Sequence, residues 1–160
     1  MSEALLLDEL ILRDKPGTVL LVAEAPPAGI TQALDGRVEQ LSSCPPQQLG
    51  RHVAELGRQA LLLFHGCLDN CARDEVARLL AAARDVYAER TLVMSACDPL
   101  DETLPLSRNF MFSMGFQYLG GAGEANFNLY EYSILNYKTV PDWLNARFWA
   151  NPENWDKFRW

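Results

Sequence analysis

The stretch "FHGCLDNC" places His65, Cys67, Asp69 and Cys71 within seven consecutive positions. An imidazole there could act as a general base, because its ordinary pKa of about 6.5 suits proton transfer near neutrality. Two thiols beside an imidazole also suggest a metal cluster. However, Cys67 and Cys71 are four positions apart rather than three, and no second pair follows, so the spacing matches no common zinc site. The other cysteines, Cys44 and Cys97, are isolated. The simpler expectation is four free thiols, buried or semi-buried. In the same spirit Gly66 makes a turn, Asp69 or Asn70 caps the next helix, and His65 is a satisfied loop residue. The run "CDPLDE" brings Asp98, Asp101 and Glu102 together, as a divalent-cation loop would. An exposed acidic loop whose residues cap the following helix is the simpler account and the one expected. There is no phosphate loop of the G-x-x-x-x-G-K-[ST] type and no G-x-S-x-G elbow. No catalytic residue and no metal ligand is assigned.

These residues lie at the ends of short apolar runs. "TVLLVA" (Thr18–Ala23), "ALLLF" (Ala60–Phe64) and "TLVMSA" (Thr91–Ala96) are almost wholly apolar rather than alternating, the mark of strands covered on both faces. "RVEQL" (Arg37–Leu41) is a fourth, weaker strand. Helical spacing lies between the runs: Leu49, Val53 and Leu56 before Gly57, then Val76, Leu79, Leu80, Ala83, Val86 and Tyr87. The start, "MSEALLLDELILRD", reads as an amphipathic helix rather than a signal peptide, because Glu3, Asp8 and Glu9 interrupt it. Past a helical stretch over 104–114, "GFQYLGG" and "NFNLYEYSI" flank a short glycine-containing loop, which predicts a hairpin. Alternating strands and helices give an open, mostly parallel α/β sheet closed by antiparallel strands.

This order, with "SMGF" leading to "LYEY" near the end, resembles the class I methyltransferase fold. The ending "YKTVPDWLNARFWANPENWDKFRW" is similar to that of a small bacterial family of unknown function with that Rossmann-like fold. The resemblance implies a methyltransferase-like domain over 1–136, with a Trp-rich C-terminal extension over 137–160 packed on it. It also implies S-adenosylmethionine across the carboxyl ends of the parallel strands. The pattern at the first strand-to-helix turn is an acid followed by alternating glycines. In "LLVAEAPPAGI", Glu24 takes the acidic position, but the next two glycine positions fall on Pro26 and Ala28, with Gly29 one place out of phase. Pro26 fixes φ and removes an N–H, and Ala28 adds a methyl where close approach is wanted. At the end of strand two an acid would hold the ribose hydroxyls; "RVEQLSSCPP" offers Ser42 and Ser43, with Glu39 inside the strand. If the crevice is functional, Glu24, Gly29, His65 and Gly66 would line the cofactor. The expectation is that no cofactor binds efficiently and that the protein acts through interaction surfaces; the alternative is an active S-adenosylmethionine-dependent methyltransferase with an atypical cofactor loop. The two readings divide on whether the protein is an enzyme.

The formal charge is −7, which argues against a nucleic-acid partner. No run approaches the ~20 apolar residues of a membrane span, so a cytoplasmic protein is expected. Every tryptophan lies in the last 18 residues: Trp143, Trp149, Trp155 and Trp160. Residues 137–160 carry net +1 against −8 in the rest. Such side chains bury roughly 150–250 Å² each. Packing on the domain is the first expectation for them, and contact with a protein partner or a second copy the next. Stacking on a nucleobase ranks last.

Overall fold

The structure, a computed structural model, describes residues 9–122 and 127–137. The Trp-rich extension beyond 137, the tip of the expected hairpin loop and the first eight residues of the expected N-terminal helix lie outside them. The elements run β1 (Thr18–Val22), α1 (Ala28–Leu34), β2 (Gln40–Cys44), a 3-10 turn (Pro46–Gln48), α2 (Leu49–Leu56), β3 (Gln59–His65), α3 (Arg73–Ala82), a π-helical turn (Ala83–Tyr87), β4 (Ala88–Ser95), α4 (Arg108–Ser113), β5 (Gln117–Ala122), β6 (Phe127–Ser133) and α5 (Ile134–Tyr137). Residues 9–12 are also helical.

One six-stranded sheet has the order β2-β1-β3-β4-β6-β5. The first four strands in this order are parallel, while β6 runs antiparallel to both β4 and β5. The three apolar runs are β1, β3 and β4, as their composition requires. Alternate residues of each strand serve opposite faces. Leu20, Val22, Leu62, Phe64, Val93 and Tyr130 pack under α2, α3 and α4 through Leu49, Val53, Val76, Leu80 and Met111. Val19, Leu21, Leu61, Leu63, Leu92, Met94 and Leu129 form the other face with Ile11, and with Ile30 and Leu34 of α1. Leu61 to Phe64 are wholly enclosed. Burying each contributes about 1.5–3 kcal/mol.

Several boundaries differ from the sequence expectation. The second strand is Gln40–Cys44, not 37–41, so Glu39 precedes it and is exposed, and Ser42 and Ser43 lie inside it. Only Cys44 of this edge strand is buried, which explains the weak apolar signal. The helix before β5 is shorter than 104–114, because Pro105 bars the helical conformation to the residue before it. The helix after β3 ends as α-helix at Ala82 and closes in the π turn.

The junction where the sheet turns antiparallel holds an ion cluster. Arg90 of β4 and Glu131 of β6 lie diagonally on one face, since Leu92 pairs with Glu131 and Arg90 with Ser133. Arg90 Nε donates to Glu131 Oε1 at 2.5 Å, with side chains only 6% and 3% exposed. Arg13 Nη2 donates to the same oxygen at 2.8 Å, and Arg90 Nη1 donates to the Leu10 carbonyl. The cluster thus ties residues 10–13 to the sheet. Among the described residues, removing Glu131 leaves the buried Arg90 only Asp14, half-exposed and 3.7 Å from its Nη1, as a counter-charge, at a cost of roughly 3 kcal/mol, the low end for a broken buried pair. Glu131→Gln should lower unfolding stability by about that much in urea titration; a loss below about 1 kcal/mol would remove the cluster from the fold's essential contacts.

Candidate functional site at the carboxyl ends of the strands

Strand order places the crevice. The connection from β1 to β2 runs one way along the sheet and that from β2 to β3 runs back across β1. The helices accordingly separate, α1 to one face and α2 and α3 to the other. Where the connections diverge, between β1 and β3, a crevice opens outside the carboxyl ends, the usual ligand position in open α/β sheets.

From β1 the chain continues through buried Ala23 to Glu24, which is exposed and accepts a 3.0 Å hydrogen bond from Gln47 Nε2. Pro26 and Pro27 follow, neither with an N–H to offer. Pro27 is extended, with φ −66° and ψ 125°, and α1 begins at Ala28. Gly29 is therefore the second helical residue rather than a loop residue. Its φ is not positive and a Cβ there would meet none of the described residues within 4 Å, so none of them requires glycine there.

His65 is the last residue of β3, half-buried, with its ring 5.2 Å from that of Phe127 on β6. Gly66 has φ +63°, which favours glycine, and donates its N–H to the Met94 carbonyl at 2.9 Å. The four expected cofactor-lining residues thus flank the crevice on two sides, Glu24 and Gly29 after β1, His65 and Gly66 after β3.

Between them stands Cys67. Its thiol donates to the Val22 carbonyl at 3.3 Å, so the side chain covers the end of β1. Burial pushes its pKa up to about 12. Cys71 donates to the Cys67 carbonyl, and its pKa is also raised, by burial first and then by Glu75, Glu24 and Asp69. Cys44 and Cys97 are buried and raised for the same first reason. All four are free thiols, as expected. Among the described residues no group of three or more His, Cys, Asp or Glu side chains could hold a metal ion.

Asp69 does not cap the helix after it; the residue preceding α3 is Ala72, which makes no side-chain cap. Instead Asp69 accepts from Ser95 Oγ at 2.6 Å and from the Ala96 N–H at 2.9 Å, while Ser95 Oγ accepts the Cys97 N–H at 3.1 Å. A carboxylate satisfied by strand-end donors is worth more here than at a solvent-facing cap, because Ser95 is fully buried. Asn128 of β6 extends this network, donating to the Cys97 carbonyl at 2.8 Å and accepting from Tyr118 Oη at 3.0 Å. Gln47, Ser95, Tyr118, Phe127 and Asn128 carried no local motif; their one signal was polar or aromatic character next to an apolar strand end. The acidic loop spends its carboxylates internally. Asp98 accepts the Leu100 N–H, Asp101 accepts from Thr103, which lowers its pKa, and Glu102 accepts from Ser107 and Asn109.

The raised thiol has two measurable consequences. At pH 8 its thiolate fraction is about a thousandfold below that of an unperturbed cysteine. Alkylation of Cys67 in the folded protein should be slower than in the unfolded chain by at least about tenfold, because the greater nucleophilicity of a more basic thiolate offsets only part of the lost fraction; equal rates would contradict the raised pKa. The folded state also keeps protons that the unfolded state loses above pH 9.0 at Cys67 and above pH 10.0 at Tyr130, which burial likewise pushes to about 12. The unfolded state then binds fewer protons, so stability falls as pH rises. The Tm should decline steadily from pH 9 toward 11, and a flat profile would count against these shifts.

Comparison with known proteins agrees with this architecture. No curated protein sequence matches the chain. Among solved structures, the apo form of the S-adenosylmethionine-dependent methyltransferase SibL superposes with a TM-score of 0.53 at 15% identity, over 82% of this chain and 54% of that one. An O-methyltransferase family 2 protein from Planctomyces limnophilus, in complex with apigenin, gives a TM-score of 0.49 at 18% identity, over 78% and 52%. The fibrillarin pre-rRNA processing protein of Methanococcus jannaschii gives 0.46 at 8% identity, over 73% and 66%. The chain spans about half the length of the first two. The likeness to SibL establishes a methyltransferase-like fold, and the match over residues 1–160 establishes that the chain belongs to the family of unknown function DUF6231.

Proposed function

We propose that this chain is a methyltransferase-like protein whose crevice does not bind S-adenosylmethionine efficiently, and that it acts through interaction surfaces. The observation that carries the reading is the turn after β1. Two consecutive prolines remove the backbone donors there, the helix has already begun at Ala28, and Gly29, the one glycine of this turn's sequence, is helical. Two neighbours reinforce it. Glu24, in the acidic position, is engaged by Gln47, and the Cys67 thiol covers the end of β1. At the end of β2, where an acid would hold ribose hydroxyls, the chain reads Ser43-Cys44-Pro45, with Cys44 buried.

The interaction surface is the aromatic C-terminal segment, with Trp143, Trp149, Trp155 and Trp160 as its anchors for a protein partner or a second copy of the chain. Four free thiols favour a reducing compartment, hence the cytoplasm. Among the described residues no helix is long and apolar enough to cross a membrane. The alternative, an active methyltransferase with an atypical loop, draws on the fold and on Glu24 alone.

Thermal unfolding with S-adenosylmethionine and S-adenosylhomocysteine separates the two. A ligand present at a hundred times its Kd stabilises by about 2.7 kcal/mol, which for this size raises Tm by roughly 5–10 °C. The proposal expects no such rise at millimolar ligand. A saturable rise of that size with micromolar midpoint would replace it with the alternative.

A further inference from the structure

Residues 103–122 contain a single charged side chain, Arg108, in a chain that is 22% charged. This stretch forms α4 and β5; Leu106, Met111 and Phe116 are buried in the core, but part of the stretch faces solvent. Phe112 is 46% exposed and Leu119 is 40% exposed. Arg108, also exposed, holds its guanidinium 5.4 Å from the Phe112 ring and 4.8 Å from the Tyr118 ring. No carboxylate partner for it occurs among the described residues. Among the described residues β5 is the edge of the sheet, paired only with β6. Tyr118 pairs with Tyr130 and Gly120 with Leu129, so Leu119 is the extra residue of a bulge. An edge strand is normally guarded by charge. Among the described residues of α4 and β5 no such guard occurs; Arg108, Phe112 and Leu119 are exposed with Tyr118 half-buried beside them, a set of the kind found at interface centres.

Where the chain goes next names the occupant. Gln117, the first residue of β5, pairs with Glu131 of β6, two residues before β6 ends at Ser133. The chain therefore leaves the sheet through α5 on the neighbouring strand, at the end where α4 turns into β5. Beyond Tyr137 come 23 more residues. Fully extended they span roughly 75 Å, several times the roughly 20 Å of a six-residue strand. They carry four tryptophans with Phe148 and Phe158, more aromatic surface than the exposed Phe112 and Leu119 can cover, so that some seat on this patch and the rest stay outward for a partner, and Asp142, Glu153 and Asp156 for Arg108. A tethered acid meets Arg108 at high effective concentration, whereas a free acidic partner must approach a body of charge −8.

We propose that the C-terminal segment 138–160 docks on its own domain across the Arg108–Phe112–Tyr118–Leu119 surface, with α4 and β5 as its platform. The docking fixes the segment as a shaped surface rather than a free tether. The inference rests on the reading of this segment as the interaction surface, and it is independent of whether the crevice binds a cofactor.

Because all four tryptophans lie in this segment, tryptophan emission of the full chain reports on it alone. Phe112→Asp and Arg108→Glu should each move the emission to longer wavelength and raise its quenching by acrylamide. Leu100→Asp, at a side chain 76% exposed in the loop after β4, should do neither. Far-UV circular dichroism identifies any variant that fails to fold, and Leu119→Asp supplies a further patch variant. Emission unchanged in the folded patch variants would overturn the proposal. So would a wavelength change accompanied by a fall from dimer to monomer mass in sedimentation, which would assign the docked segment to a second copy. Emission reads only where the segment sits and the S-adenosylmethionine titration reads only the crevice, so failure of either reading leaves the other standing.

Discussion

Leu61, Leu62, Leu63 and Phe64 are enclosed on both faces of the sheet, and the rest of the molecule is arranged to keep them so. A strand apolar on both sides needs a helix layer above and below. That requirement puts α1 on one face and α2 and α3 on the other, which goes with the chain reversing its direction along the sheet after β2 and crossing back over β1. The crevice between β1 and β3 is a by-product of that reversal. It exists whether or not anything binds in it, so its presence says little about activity.

What fills the neighbourhood of the crevice is more informative than the crevice itself. Cys67 lies over the end of β1, Asp69 is committed to Ser95 and Ala96, Glu24 to Gln47, and Gly66 to a turn that its positive φ explains. The Glu24 and Asp69 carboxylates, the Cys67 thiol and the Gly66 N–H are thus each engaged by the protein. The far side of the sheet is anchored differently, by Glu131 with Arg90 and Arg13. That cluster holds the residues before β1 against the antiparallel half.

The central strands were legible because double-sided burial leaves unbroken apolar runs. The closing pair was legible because "GFQYLGG" and "NFNLYEYSI" flank a glycine loop. β2 was placed three residues early because an edge strand with one buried residue carries little pattern. The role of Asp69 was misread because a helix cap is a local contact, whereas its partners lie 26 and 27 positions away. The same distance hid Asn128, which reaches Cys97 across 31 positions. Proline at 26 was readable from sequence alone, since its effect on φ and on the N–H needs no tertiary context. The α4–β5 surface was not read, because it depends on knowing that β5 is the edge strand.

The central claim concerns the turn after β1, and amide NMR of labelled protein during titration with S-adenosylhomocysteine addresses it at the residues themselves. The account predicts no saturable shift at Glu24, Gly29, His65 or Gly66 up to millimolar ligand. Saturable shifts at Gly29 and Gly66 with a micromolar midpoint would contradict it and return the protein to the working methyltransferases.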